Sequence, residues 1–314
     1  MTPRPIIIDT DPGQDDAVAI LLALASPEEL EVRAITTVAG NVPLALTTVN
    51  ALKMVELAGR TEVPVYAGCD GPLHGALITA EYVHGRSGLD GATLPEPVTA
   101  VAAGHAVDAI VEIVTSAPPG TITLCPLGPL TNVATALDRE PRMAAMLREI
   151  VLMGGGFFEG GNTTPTAEFN IYVDPEAADV VFRCGAPITV LPLDVTHRAL
   201  ILPRHLERFA ALGTRVGEAV HGLLTFYERY DVAKYGMAGG PLHDPCVIAY
   251  LLKPELFRGK LVGVEIETES PLTRGMTVVD WWGMTAGPRN ATWIREVDAE
   301  GFFDLLVGRL AAIG

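Results

Sequence analysis

The sequence predicts an α/β protein built on an open, mostly parallel, doubly wound (Rossmann-like) sheet with helices on both faces. Two observations support this fold class. Short apolar runs rich in β-branched residues, such as PIIID at 5–9, are typical of strands buried on both faces of a sheet. Segments of helical composition follow these runs repeatedly, and strands that alternate with helices predict parallel pairing.

The predicted elements follow one another in a regular order. The turn TDPGQ separates the first strand from a helix that begins at Asp15 and Asp16. Pro43 falls in the first turn of the second helix, and Gly59 ends that helix. The predicted elements are strand 5–9, helix 15–26, strand 31–40, helix 42–59, strands at 121–128, 148–156 and 186–194, and a small antiparallel hairpin or edge at 261–283.

The chain contains no linker, repeat or low-complexity tract, so we expect a single domain over residues 1–314. Two irregular stretches stand out, at 68–97 and at 227–243. Long loops in a compact α/β protein are often covers of an active site, and a plain surface excursion is the equal alternative.

Composition limits the classes of function. The formal net charge is −16 and the few lysines are scattered, which disfavours binding to nucleic acid or to an anionic membrane. The four cysteines are far apart, which favours free thiols in a reducing compartment over disulfides or zinc. No apolar run is long enough to span a bilayer and no signal peptide is apparent, so we expect a cytoplasmic protein.

The stretch IDTDPGQDDAV at 8–18 carries four carboxylates, on Asp9, Asp11, Asp15 and Asp16. A strand end and a helix start can aim several of them at one point on the carboxyl edge of the sheet. A helix cap with a charged first turn would explain only one or two of the four. Hard carboxylate oxygens without nearby Cys or His favour Ca²⁺ or Mg²⁺ over zinc.

The motif DTDPGQDDA resembles the signature of the nucleoside hydrolases, the inosine/uridine-preferring family of calcium-dependent N-ribohydrolases. Further blocks extend the resemblance over most of the chain, in the order of that family. The resemblance implies hydrolysis of ribonucleosides to ribose and free base, with Ca²⁺ as cofactor and a dimer or tetramer as the assembly. These blocks are ITTVAGN (35–41), PLGPLTN (126–132), VLMGGG (151–156), AEFNIYVDPEAA (167–178) and HDP (243–245).

The resemblance also assigns roles around the metal. Asp11, Asp16 and Asp244 correspond to carboxylate ligands of Ca²⁺, and Leu127 to a residue that contributes only its main-chain carbonyl. Asp15 corresponds to the carboxylate that holds the ribose 2′-hydroxyl. Asp9 is expected to contact neither the metal nor the ribose.

Four further polar residues correspond to groups that hold the ribose, with Glu168 and Asn162 toward its 5′-hydroxyl. Read alone, Asn41 and Asn162 would be ordinary turn and loop residues. An extra residue in GGGFFEGGN makes the match of Asn162 weaker than the others. The four are Asn41, Asn162, Glu168 and Asn170.

The expected mechanism follows from an oxocarbenium-like transition state, which carboxylates stabilise. Asp11 is the expected general base toward a calcium-bound water, with Asp15 the weaker candidate. His243, next to Asp244, is expected to protonate the leaving base. His84 is a candidate contact of that base, and structural roles are the alternative for both histidines.

Other aromatic and imidazole groups have weaker assignments. Tyr227, Tyr230 and Tyr235 precede His243, where the family places residues near the base. Trp281 and Trp282 are expected in a half-buried strand. The remaining histidines are expected at the surface or in the core; they are His74, His105, His197, His205 and His221.

Two rival functions remain open at this point. A haloacid-dehalogenase-type phosphohydrolase also begins with a strand ending in D-x-D, which would make Asp9 a nucleophile. Gly13 stands where that family has Thr or Val, and no late acidic pair follows. The second rival is a non-catalytic nucleoside- or sugar-binding protein, which would need no acid and base together.

Overall fold

The computed structural model describes residues 2–313, and its centre is one nine-stranded sheet with the order β3-β2-β1-β4-β5-β6-β9-β7-β8. The first seven strands in this order pair in parallel, and β7 pairs antiparallel with β9 and β8. The strands are β1 Arg4–Thr10, β2 Leu30–Thr37, β3 Val65–Ala67, β4 Thr123–Pro126, β5 Glu149–Met153, β6 Ile188–Leu191, β7 Phe257–Ile266, β8 Thr277–Asp280 and β9 Ala291–Val297. The predicted fold class and C-terminal hairpin are confirmed.

Helices cover both faces of the sheet. Alternate residues of the central strands face the two sides: Ile6 and Ile8 pack in one core and Ile7 in the other. Full burial on both faces explains why the central residues of these strands are mainly apolar. The helices are α1 Gln14–Leu24, α2 Leu44–Leu57, α3 Glu81–His84, α4 Ala106–Ser116, α5 Thr131–Arg139, α6 Met143–Met146, α7 Phe169–Val173, α8 Pro175–Arg183, α9 Leu193–Thr196, α10 Pro203–Ala210, α11 Arg215–Tyr235, α12 Pro245–Leu252 and α13 Ala299–Leu310, with a 3₁₀ turn at Pro254–Leu256.

Several local predictions need correction. The stretch 227–243 is not irregular throughout, because α11 continues to Tyr235 and ends at Gly236, whose φ of 65° forms a left-handed cap. Trp281 and Trp282 follow β8 in a turn, and Trp282 is 76% exposed, so the half-buried strand was wrong for them. Pro43 is the residue before α2 rather than part of its first turn.

The irregular character of 68–97 is confirmed except for the single turn of α3. Strand β9 was not expected. It enters the sheet between β6 and β7, and only long-range pairing fixes that place. Among residues 2–313, no helix combines the length and apolar character needed to cross a membrane.

From β1, the chain first adds β2 and β3 on one side of the sheet and then adds β4 on the other side of β1. In an open parallel sheet, ligands bind at the carboxyl ends of the strands beside such a switch point. The turn after β1 carries the acidic motif, and Leu127 follows β4 directly. The topology therefore brings these two predicted metal-binding segments to one place.

Candidate active site

The turn from β1 to α1 buries its carboxylates. Asp11, Asp15 and Asp16 are 1%, 4% and 0% exposed. Asp16, in the first turn of α1, accepts hydrogen bonds from Thr10 Oγ1 at 2.5 Å, from Gly13 N at 3.0 Å and from Asn41 Nδ2 at 3.0 Å. These donors fix the carboxylate of Asp16 and provide part of the positive potential that it needs.

Asp11 is held on one side only. Its Oδ2 accepts a hydrogen bond from Asn41 N at 2.7 Å, whereas Oδ1 is buried without a partner. Burial and the charge of Asp16 raise the pKa of Asp11 well above its ordinary value. A methyl group at Gly40 would lie 2.1 Å from Oδ2, and one at Gly128 would lie 2.2 Å from Oδ1. Both glycines let the backbone approach this carboxylate.

Asp15, Asp16 and Asp244 form the tightest acidic group: one carboxylate oxygen of each lies within 4.8 Å of the other two. Asp244 precedes α12 directly, so it enters the group from the far end of the chain. Burial and the charge of Asp16 raise the pKa of Asp15 to about 7. Burial, followed by the charge of Asp15, raises the pKa of Asp244 well above its ordinary value.

Electrostatic repulsion between these buried carboxylates can be relieved by a proton or by a cation. Oδ1 of Asp15, like Oδ1 of Asp11, is buried without a hydrogen-bond partner. Two unpartnered buried oxygens beside two further carboxylates form a set of hard donors, and such donors suit a divalent cation. The residues present therefore fit a metal ion, and we call Asp11, Asp15, Asp16 and Asp244 the acidic cluster.

Asp9 lies apart from this cluster. Its Oδ1 accepts hydrogen bonds from Thr36 Oγ1 at 2.6 Å and from Asn132 Nδ2 at 2.8 Å. It is fully buried, and burial raises its pKa to about 7. The side chain ties β1 to β2 and α5, and it does not line the pocket described below. This position is unsuited to the nucleophile of a phosphohydrolase.

A pocket lies at this edge of the sheet. Nine of the eleven predicted site residues line it, all except Asp11 and Asp16, together with tyrosines of α3 and α11. The lining residues include Asp15, Asn41, Tyr82, His84, Leu127, Asn162, Glu168, Asn170, Tyr227, Tyr230, Asp231, Tyr235, His243 and Asp244.

Three of the four predicted ribose-binding residues, Asn162, Glu168 and Asn170, lie on the loop before α7 or at its start, and Asn41 lies between β2 and α2. Glu168 caps α7: its carboxylate accepts hydrogen bonds from the backbone N–H groups of Gly155, Asn170 and Ile171. Burial still raises the pKa of Glu168. Asn170 Nδ2 donates to the carbonyl of Leu127 at 2.6 Å, so the predicted carbonyl ligand is held in place by a predicted sugar-binding residue.

Asn162 stabilises the same loop. Its Oδ1 accepts a hydrogen bond from Phe169 N at 3.0 Å, and its carbonyl accepts one from the hydroxyl of Tyr235 at 3.3 Å. The side chain is therefore both a pocket-lining group and a support for Glu168 and Asn170.

His84 and His243, which we call the histidine pair, both line the pocket. Nδ1 of His84 is 2.7 Å from Oε1 of Gln14, and Nδ1 of His243 is 2.7 Å from Oγ1 of Thr196. Burial lowers the pKa of His84 to about 3. Burial, followed by the nearby His197 and His84, lowers the pKa of His243 well below its ordinary value.

Three residues around the histidine pair were not expected at the site. His197 lies with its ring 5.8 Å from that of His243, and Gln14 and Thr196 each hold one histidine. The signal for Thr196 and His197 was available, because LDVTH follows β6 after a single proline, at the carboxyl edge of the sheet. Gln14 lies inside the acidic motif itself.

The tyrosines that line the pocket lie at two different depths. Tyr227 is buried, and its hydroxyl donates to Oδ2 of Asp15 at 3.4 Å. Tyr82, Tyr230 and Tyr235 meet at the mouth of the pocket, with ring centroids 5.4 Å apart for the first two and 6.2 Å for the last two.

Comparison with known proteins tests the identity of this site. The family model described as inosine-uridine preferring nucleoside hydrolase matches residues 6–304. The chain belongs to this family of nucleoside hydrolases. The pyrimidine-specific ribonucleoside hydrolase RihA of Photobacterium profundum is 50% identical over 309 residues, which cover 98% of this chain and 99% of that protein. An uncharacterised Schizosaccharomyces pombe protein is 51% identical over 98% of this chain and 99% of its own length.

Solved structures agree. A purine-preferring ribonucleoside hydrolase from Gardnerella vaginalis has a TM-score of 0.91 and 32% identity, covering 98% of each chain. The expected family, fold and reaction class, hydrolysis of the N-glycosidic bond of ribonucleosides, are confirmed, and the phosphohydrolase and non-catalytic alternatives are set aside.

Proposed function

We propose that this nucleoside hydrolase prefers pyrimidine ribonucleosides. The observation that carries the proposal is identity close to one half, along the whole chain, with pyrimidine-specific hydrolases, against 32% with a purine-preferring one. Shared family membership alone would not separate the two preferences, because members of both kinds have this fold.

The proposed cofactor is Ca²⁺, held by Asp11, Asp16 and Asp244 with the main-chain carbonyl of Leu127. The unpartnered oxygens and the raised pKa values of the acidic cluster support a cation there. Because Asp15 belongs to the tightest acidic group, it is a candidate for the cation as well as for the 2′-hydroxyl. When bound, the ion would orient the ribose diol and lower the pKa of water.

Asp11 is the proposed general base. Its Oδ1 has no hydrogen-bond partner, so it is free to accept the proton of the attacking water. Gly40 and Gly128 keep the space around this carboxylate small, which restricts its orientation.

The ribose side of the pocket is assigned to Asn41, Asn162, Glu168 and Asn170. As the glycosidic bond breaks, positive charge develops on the ribosyl group. The buried carboxylates of Glu168 and Asp15 face the same pocket and would stabilise that charge in a poorly solvated setting.

The leaving base is assigned to the histidine pair. We propose that His243 protonates it as the bond to C1′ breaks, because its ring lines the pocket and Thr196 engages only one of its two ring nitrogens. His84 would contact the base without carrying charge, because its pKa of about 3 keeps the ring neutral.

A panel of nucleosides tests the proposal. Ribose release is measured for uridine, cytidine, inosine and deoxyuridine, with calcium and with a chelator. We expect kcat/KM for uridine or cytidine at least about tenfold above that for inosine, since one pocket contact is worth about this factor. Higher kcat/KM for inosine would overturn the pyrimidine preference, and full activity after chelation would overturn the cation.

The proposed assembly is a homo-oligomer, a dimer or tetramer, and the proposed location is the cytoplasm. Four free cysteines support a reducing compartment. Light scattering on the purified protein distinguishes these assemblies from a monomer.

A further inference from the structure

The short helix α9 lies beside the histidine pair and is fixed at several points. Leu193 N donates to the carbonyl of Gly155 at 2.8 Å. Oδ1 of Asp194 accepts hydrogen bonds from the backbone N–H groups of the turn 157–159, and Oδ2 accepts one from Trp293 Nε1 at 2.7 Å. A side chain at the end of this helix is therefore held in one place.

Thr196 is that side chain. It is fully buried, and its hydroxyl is 2.7 Å from Nδ1 of His243. Among residues 2–313, no other hydrogen bond to this hydroxyl is present. Because Nδ1 is engaged by Thr196, Nε2 is the ring nitrogen of His243 that remains for a group in the pocket.

We propose that Thr196 is the positioning residue that turns Nε2 of His243 toward the leaving base. The inference rests on the proposed acid role of His243. In the step it serves, the electron pair of the bond to C1′ moves to the base, and the base takes the Nε2 proton of the imidazolium. The ring keeps its Nδ1 proton, which it donates to Oγ1 of Thr196. Water supplies hydroxide to C1′ and its second proton to Asp11.

The role is specific to substrates whose leaving group needs a proton. Uracil leaves poorly as an anion, whereas p-nitrophenolate leaves without protonation. A residue that only stabilises the fold would affect both substrates alike. A residue that positions the acid would affect uridine alone.

The experiment compares kcat on uridine and on p-nitrophenyl riboside for Thr196→Val, which keeps the shape and loses the hydroxyl. We expect a loss of about tenfold or more on uridine and less than about threefold on the nitrophenyl substrate. Thr196→Ser, the matched control that keeps the hydroxyl, should stay within about threefold of wild type on both. Thr196→Ala serves in the same way if the valine variant does not fold.

His243→Ala separates the failure of this inference from that of the proposed function. If His243→Ala impairs uridine selectively and Thr196→Val does not, Thr196 does not position the acid. If His243→Ala impairs both substrates equally, the acid role of His243 is wrong and the inference falls with it. The double variant should lose no more activity on uridine than His243→Ala alone, because both changes remove one function.

Discussion

The acidic cluster and the histidine pair meet at one pocket, which Asp15, Asp244 and both histidines line, and the two groups respond to burial in opposite ways. Burial raises the pKa of Asp11, Asp15 and Asp244, and it lowers the pKa of His84 and His243. In both cases the low-polarity surroundings disfavour the charged form.

The two groups differ in what they lack. Each histidine has one ring nitrogen held by a neighbouring side chain, Gln14 or Thr196. In the acidic cluster, by contrast, Asp11 and Asp15 each keep a buried oxygen without a partner. Each histidine therefore has one ring nitrogen fixed within the protein, whereas the acidic cluster leaves oxygens that a proton or the proposed cation would satisfy.

The largest expected effect comes from the acidic cluster. Asp11→Asn keeps the shape of the side chain and removes the proton acceptor, so kcat for uridine should fall by about 10⁴-fold, the upper range for a general base. Ribose release measures the loss. Asp9→Asn, two residues away and bonded to Thr36 and Asn132, is the matched control and should lose less than about tenfold. Comparable losses for both variants would contradict the role of Asp11.

The second effect concerns the histidine pair. His243→Ala should lower kcat on uridine by about 10²- to 10³-fold, since a proton donor to the leaving group is lost. The acidic cluster remains intact in this variant, so its calcium affinity, measured by titration calorimetry, should stay within about threefold of wild type. A large loss of calcium affinity would contradict separate roles for the acidic cluster and the histidine pair.

A third, smaller effect tests the close packing around Asp11. In Gly128→Ala the new methyl group would meet Oδ1 of Asp11 at 2.2 Å, so the carboxylate must move. A displaced base should cost about 10²-fold in kcat. Gly71→Ala, whose methyl group meets no atom within 4 Å, is the control and should keep wild-type kcat. Wild-type kcat for Gly128→Ala would show that the position of Oδ1 is unimportant.

The smallest effect is a pH dependence of calcium stabilisation. Raised carboxyl pKa values, about 7 for Asp15, mean that protons compete with the cation below this pH. The stability that protonation gives the folded acidic cluster is present below the unfolded pKa near 4 and is lost as the pH rises through about 7. Calcium should therefore raise Tm by a few degrees more at pH 8 than at pH 5, measured by calorimetry.

Comparing samples with and without calcium at each pH cancels the opposite contribution of the histidines, whose lowered pKa values make the folded state more stable as the pH rises. An equal or smaller calcium increment at pH 8 would contradict a carboxylate site for the cation.

The sequence predicts the acidic cluster better than the surroundings of the histidine pair, because the two are assembled from the chain in different ways. Three of the four acidic-cluster residues lie between the end of the buried strand β1 and the first turn of α1, so strand recognition and a single motif locate them. Contact of Asp11 with the glycines that flank it could not be predicted, since Gly40 and Gly128 come from two other turns.

The histidine pair is assembled from segments far apart in sequence. The resemblance pointed to His84 and His243, but the partners Gln14 and Thr196 are 70 and 47 positions away. Such side-chain pairs depend on tertiary packing, and no local pattern encodes them. The last turns of α11 were missed because the end of this helix is set by the left-handed cap at Gly236, beyond the point where the irregular stretch was predicted to begin.

One measurement tests the division of the pocket most directly: hydrolysis of uridine and of p-nitrophenyl riboside by the wild-type protein, with calcium and with a chelator. In the proposed mechanism the acidic cluster and its cation act on the ribosyl group that both substrates share, so chelation should abolish both reactions, and added calcium should restore both. If the nitrophenyl substrate were hydrolysed at an unchanged rate in chelator while uridine was not, the cation would serve the leaving base, and the account of the acidic cluster would be wrong.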